Sequence, residues 1–292
     1  MRWLQLVLLG YFSPVIVRAK ILLQEMWKLK VDWDSVLPDF ILEEWKTLAV
    51  DLQSISSVSI KRHVSVFAET EVVDLHCFCD ASCKAYSACV YLRSTTGNIH
   101  EANLIFCKSR VAPLKAISLP RLELMAVLLG VRSLEFVSKQ LNFPTNHRKV
   151  LWSDSMCVLH WIKSKRLLST FVENRLKEIR KSKDIEYRYV PTKENSVDLA
   201  TEGERLSEIA YSELWWNGPA WLSKDECNWP KFPEESVITS EAVCEIGLCE
   251  VSTLDNASDV SKPQNSLGLR TVTQTLVMNI SSQSILCKDT PL

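Results

Sequence analysis

No Cys-x-x-Cys pair occurs anywhere in these 292 residues, although ten cysteines are present. Cys244 and Cys249 are separated by four residues, but no histidine follows them, so a zinc finger has no support. Cys77, Cys79, Cys83 and Cys89 fall in strand-like apolar stretches. Reduced, mostly buried thiols are therefore expected rather than a disulfide framework. The chain also lacks any run of about 20 apolar residues, the length a membrane-spanning helix needs, so no membrane partner is expected. A large charge of one sign is missing as well: 34 basic residues face 35 acidic ones, a formal net charge of −1. That balance hides an asymmetry. From Ser223 to Leu292 ten Asp and Glu face five Lys and Arg, which leaves 29 basic against 25 acidic residues in the remainder. A mildly basic body with an acidic tail is compatible with nucleic-acid contact, but an imbalance of this size does not establish it.

What is present is ordinary globular composition, 47% hydrophobic and 24% charged. It suffices for a real core in one large domain or two small ones. The N-terminus holds two readings. Met1-Arg2 before Trp3 to Leu9 has the look of a secretory signal, with Val17-Arg18-Ala19 as a cleavage site. Against it, Gln5, Gly10, Ser13 and Pro14 break the apolar run, and a helical pattern continues through Ile21, Leu22, Met26 and Leu29. The pattern favours a cytoplasmic chain over a secreted one.

Along the chain, residues 14–27 and 39–52 carry helical spacing, interrupted at Asp32 to Pro38. Val73 to Phe78 alternates toward a strand ending at Asp80. Ala85 to Leu92 and His100 to Ser109 follow as strands joined by the turn Thr96-Gly97-Asn98, an antiparallel meander. Leu119 to Leu141 reads as a long helix, with Ser118 as its cap and Pro120 in its first turn. A short buried strand, Lys149 to Trp152, precedes helices over 155–164 and 169–183, the strand Glu186 to Val190, and a helix beginning near Asn195. This order describes an α/β fold, a mixed five-stranded sheet flanked by helices. Beyond Leu222 aromatics vanish after Phe232 and no period is sustained, so 223–292 reads as an acidic, Ser/Thr-rich, disordered tail.

Four acidic residues stand in short, distinctive settings: Asp80 in Phe78-Cys79-Asp80-Ala81-Ser82, Glu123 in Pro120-Arg121-Leu122-Glu123-Leu124, Asp154 in Trp152-Ser153-Asp154-Ser155, and Asp198 in Asn195-Ser196-Val197-Asp198-Leu199-Ala200. Each alone has an ordinary explanation. Asp80 ends a strand, Glu123 favours an early helical turn, Asp154 or Ser153 caps the next helix, and Asp198 supports a first turn. Together they are four oxygen donors on rigid elements, and carboxylates are seldom placed there unless paired or bound to metal.

These words, with Lys108 to Pro113, Val190 to Gly203 and Trp215 to Leu222, resemble the ribonuclease H-like region of BEL/Pao-type retrotransposon polyproteins. Ser13 to Lys20 with Trp33-Asp34 is similar to the connection that follows the reverse-transcriptase palm there. The resemblance spans about residues 13–222. It implies a ribonuclease H-like fold with a helical connection segment over 1–72, the nuclease-like domain over 73–222 and the tail beyond. It also implies that Asp80, Glu123, Asp154 and Asp198 are catalytic ligands for two Mg²⁺ or Mn²⁺ ions hydrolysing the RNA strand of an RNA/DNA hybrid. Hybrid recognition would rest on groove shape and 2′-hydroxyls, with Ser82, Lys108, Arg121 and Ser155 as nucleic-acid contacts. Reverse transcriptase or other polyprotein segments are further implied partners.

No Tyr-x-Asp-Asp polymerase motif, Asp-Thr/Ser-Gly protease motif or His/Cys integrase pattern is present, so neither peptidase nor polymerase chemistry is expected. Two departures bear on activity. Glu202 stands where related sequences carry arginine, and Tyr189 stands where a histidine before Val-Pro is common. The alternative to a nuclease is an inactive relic serving as a nucleic-acid-binding or structural module. Trp152, Trp161, Trp215, Trp216 and Trp221 are expected in the core rather than as base-stacking platforms. The run Lys163, Lys165, Arg166 reads as a solvated face or a backbone contact.

Overall fold

The strand that carries Asp80 also organises the sheet. β1 (Val72–Ala81) alternates Leu75, Cys77 and Cys79 toward one face with His76 and Phe78 toward the other, and both sets are buried. It pairs antiparallel with β2 (Ala85–Thr96), which pairs antiparallel with β3 (Ile99–Val111). On its other side β1 runs parallel to β4 (Arg148–Ser153), and β4 parallel to β5 (Ile185–Tyr189). The resulting five-stranded mixed sheet has the order β3-β2-β1-β4-β5. The computed structural model describes residues 9–32, 35–55, 58, 60, 72–141, 147–166 and 168–233.

One face is covered by α3 (Leu119–Gln140), with α4 (Met156–Lys163) and α5 (Thr170–Ile179) beside it. Leu124, Val127, Val131 and Leu134 recur at helical spacing and meet Cys77, Cys79, Val90 and Leu151. The approach is close at Gly130, where a Cβ would lie 2.3 Å from Cys79 Sγ and 3.1 Å from Cys77 Sγ. Only a residue without a side chain lets the helix settle there.

The other face is covered from both ends of the described chain. α1 (Ser13–Lys28) and α2 (Asp39–Ser54) bring Phe12, Val15, Met26 and Leu48. α6 (Asp198–Glu202), α7 (Leu206–Ala210) and α8 (Glu213–Asn217) add Ala200, Ile209 and Trp215. All join Phe78, Tyr91 and Trp152 in one cluster, so the N-terminal helices and the sheet share a core. Val17 and Ala19, at the possible cleavage site, are buried within α1. The rest of the signal reading, Met1 to Leu8, lies outside the described residues.

Past Leu222 the chain continues over this face. Trp229 is 4% exposed, against Trp152, Trp221 and His76. The guanidiniums of Arg93, Arg148 and Arg188 lie 5.1–5.5 Å from its ring. Glu226 accepts from Arg148 and Arg188 and closes this strap. Residues 234–292, where most of the expected disordered tail falls, lie outside the described residues.

Several local expectations are revised. Ser118 occupies the N-cap of α3, but its side chain makes no capping bond. At α4 the cap is neither Asp154 nor Ser153. Ser155 accepts there from the Val158 N–H. Cys83 is exposed in the β1–β2 turn, unlike the buried Cys77, Cys79 and Cys89. The helix expected from Asn195 starts at Asp198, preceded by a 3₁₀ turn over Thr192–Glu194. As expected, Trp152, Trp215 and Trp221 are core residues, and Trp161 and Trp216 pack against the core half-buried. Among the described residues no helix is long and apolar enough to cross a membrane.

Candidate metal centre

Parallel pairing of β1 and β4 sets Cys79 opposite Ser153. Asp80 is the next residue of β1 and Asp154 follows the last residue of β4, so two carboxylates emerge side by side at the same end of the sheet. Both follow the parity of Phe78 and Trp152, which directs them toward the face that carries α6. Asp198 opens α6 there. Oxygens of Asp80, Asp154 and Asp198 all lie within 4.8 Å of one another.

Three half-buried like charges at this spacing resist ionisation. Burial, opposed by a hydrogen bond from Thr201 and reinforced by Asp154, raises the Asp80 carboxyl to about 6. Burial, then repulsion from Asp80, Asp154 and Glu202, raises Asp198 to about 8. Asp154 is raised by burial too, against hydrogen bonds from Thr192 and Asn195. Asp198 Oδ1 is buried and has no hydrogen-bond partner. An all-oxygen donor set with an orphaned carboxylate oxygen and uncompensated negative charge fits a hard divalent cation such as Mg²⁺ or Mn²⁺.

Glu123 stands apart from the three aspartates. It projects from α3, on the opposite face of the sheet, and its Oε2 accepts from Ser155 Oγ at 2.5 Å. Burial raises its carboxyl, against that hydrogen bond, and it also feels Asp154 and Asp80.

Two residues that sequence reasoning passed over hold the aspartates. Thr201 is fully buried, and its hydroxyl donates to Asp80 Oδ2 at 2.5 Å. Asn195 Nδ2 donates to the Cys79 carbonyl at 3.1 Å, tying the loop before α6 to β1. Their signal was available in the stretch Asn195 to Gly203, where only Asp198 and Glu202 drew notice. Gly203 ends α6 at φ +86°, a conformation that favours glycine. Glu202 is exposed and faces Lys84 at 3.6 Å.

A cleft of about 640 Å³ opens beside the acids, lined by Asp80, Cys83, Pro113, Ile117, Asp198 and Glu202 among others. Of the residues expected at nucleic acid, Ser82 borders this cleft and its hydroxyl lies 3.1 Å from the Thr201 carbonyl. Ser155 is buried, its hydroxyl committed to Glu123 and Val158. Lys108 is exposed on edge strand β3, and Arg121 is exposed in the first turn of α3. Lys163 lies over the Phe232 ring at 4.6 Å, and His160 and Tyr189 meet the same ring edge-on.

The family model for the Pao retrotransposon-like RNaseH-like domain matches residues 8–155. No curated protein sequence matches the chain. Among solved structures, LC11-RNase H1 in complex with an RNA/DNA hybrid overlaps 42% of this chain and 88% of its own, at 12% identity and a TM-score of 0.30. The N-terminal RNase H domain of rv2228c from Mycobacterium tuberculosis gives 48% and 95%, at 12% identity and a TM-score of 0.30. RNase H1 from the halophilic archaeon Halobacterium salinarum gives 42% and 89%, at 14% identity and a TM-score of 0.27. At these values the likenesses to solved structures have no bearing on activity.

Proposed function

The chain belongs to the family of Pao retrotransposon-like RNaseH-like domains, and on that footing we propose that it is a metal-dependent nuclease hydrolysing the RNA strand of RNA/DNA hybrids. The observation that carries this reading is the meeting of Asp80, Asp154 and Asp198 within 4.8 Å, with one buried carboxylate oxygen left unpartnered. Asp80, Asp154 and Asp198 would hold Mg²⁺ or Mn²⁺, with Glu123 as the fourth acid. A divalent ion bound there supplies Lewis-acid stabilisation of phosphate charge and an acidified water.

The chain's own residues do the positioning. Thr201 keeps an oxygen of Asp80 in place by donating to it, and Asn195 holds the loop before α6 against β1. Ser155, next to Asp154 in the chain, orients Glu123 by donating to it. The cleft beside the acids admits a nucleic-acid strand, with Ser82 at its rim and Lys108 and Arg121 as exposed cations for phosphate. Residues 1–72 act as the connection segment and 73–222 as the nuclease-like domain, with reverse transcriptase or other polyprotein segments as partners.

A second reading, a folded module that binds without cleaving, is favoured by Glu202. Its carboxylate adds to the charge that already resists ionisation of Asp80 and Asp198. Incubating the full chain with an end-labelled RNA/DNA hybrid in Mg²⁺ and in Mn²⁺ separates the two. Cleavage that Asp154→Asn abolishes supports the nuclease, and equal background rates in both proteins remove it.

A further inference from the structure

Two guanidiniums converge on one aromatic ring at the N-terminal end of α3, whose Leu119 and Leu122 line the acidic cleft. Arg121, in the first turn of α3, has its Cζ 5.3 Å from the centroid of Phe171, and Arg175 on α5 has its Cζ 3.4 Å from the same centroid. Arg175 is fixed further, with Nη1 donating to the Phe171 carbonyl at 2.9 Å and Nε directed at Met125 Sδ at 3.1 Å. Met125 lies one helical turn after Arg121, so the two cations sit against the same stretch of α3. Among the described residues neither arginine forms an ion pair. Arg18, Arg93, Arg132, Arg148 and Arg188 meet carboxylates instead, and Arg180 spends its donors on the Trp161, Ile162 and Ser164 carbonyls.

Bringing two like charges onto one ring is unfavourable without an anion between or beside them, and the ring quadrupole offsets only part of that repulsion. Stacking also preorganises the planar forks, which lowers the cost of gripping a phosphate oxygen pair. Arg121 is exposed and Arg175 half-buried, so their remaining N–H donors are open to a ligand. Glu123, two residues after Arg121, is engaged by Ser155 instead.

We propose that Arg121 and Arg175, stacked on Phe171, form a phosphate clamp for the sugar–phosphate backbone of a nucleic-acid strand passing the aspartates. The clamp rests on the reading of the chain as a nucleic-acid enzyme and adds to it a site outside the acidic cleft. Its contacts are to phosphate and therefore position the duplex without reading sequence.

The test is fluorescence anisotropy of the full chain with a labelled RNA/DNA hybrid, in EDTA so that cleavage plays no part, across a salt series. Arg121→Gln with Arg175→Gln is expected to weaken binding about tenfold at roughly 0.1 M salt, and to reduce the slope of log K against log[salt] by about 2. Arg121→Lys with Arg175→Lys keeps the charges and is expected to keep the slope. Lys139→Gln, at the other end of α3, is expected to change neither. The clamp is overturned if the glutamine pair binds with wild-type affinity and slope, or if Lys139→Gln is equally damaging. A chain that binds through the arginines but never cleaves keeps the clamp and removes the nuclease. One that cleaves with the glutamine pair unchanged in binding does the reverse.

Discussion

Replacing Asp198 by asparagine should stabilise the metal-free protein at pH 8 and leave it nearly unchanged near pH 4. The folded carboxyl is raised to about 8 from an ordinary 3.8, so folding takes up a proton between those values. Below about pH 4 the group is protonated in both states and contributes no penalty, and as pH rises toward 8 the unfolded chain gains relative to the folded one. At pH 7 the gap would correspond to about 4 kcal/mol, at roughly 1.4 kcal/mol per pH unit. Asp198 keeps partial contact with solvent, and discounting by half for screening leaves about 2 kcal/mol. For a domain of this size that is about 4–8 °C in Tm. Asp80, raised to about 6, acts in the same direction over the lower part of the window. The measurement is thermal unfolding of both proteins in EDTA at several pH values from 4.5 to 8, where the difference between them isolates the Asp198 part. Adding Mn²⁺ should reverse the order, because only the wild type retains the third carboxylate. A wild type as stable at pH 8 as at pH 5, tracked by the variant throughout, would refute the account of the three aspartates as an uncompensated cluster.

Further outcomes follow from individual contacts. Thr201→Val removes the hydroxyl that donates to Asp80, at a cost of about 1.5–3 kcal/mol for a bond to a charged group. It should weaken Mn²⁺ binding, followed by electron paramagnetic resonance, while Thr201→Ser restores it. Gly130→Ala drives a Cβ to 2.3 Å from Cys79 Sγ and should destabilise by about 1–3 kcal/mol in urea unfolding. Adding Cys79→Ala should recover part of that loss, and failure to do so would disprove the proposed close approach. Trp229→Ala, which empties a site 4% exposed among three guanidiniums and the core tryptophans, should cost about 3–5 kcal/mol. A variant with an unchanged Tm would mean that the strap contributes nothing.

Much of the architecture was legible because β1 to β5 and α3 announce themselves by period. Val73 to Phe78 alternates, Lys149 to Trp152 is a short apolar run, and Leu122 to Val137 repeats at helical spacing. Trp229 was less legible: it stands alone among acidic and polar residues, and its partners Arg93, Arg148 and Arg188 come from three separate strands. The clamp was half visible. Arg121 is legible as a nucleic-acid contact implied by the resemblance, but nothing local relates it to Phe171 and Arg175 on another helix.

Period and local composition place the chemistry-bearing side chains on particular strands and helices. The words around four acids, each at a strand end or in an early helical turn, single them out through the resemblance they carry. Which of the four meet is settled by tertiary contacts. Strand register, a property of two backbones at once, puts Asp80 beside Asp154, and the return of the chain across the sheet brings Asp198 to both. Glu123 arrives from the opposite face and is held by Ser155. The charge balance of the site is tertiary for the same reason. Burial and the nearness of three carboxylates raise Asp198 to about 8, and neither is written in any one stretch of chain.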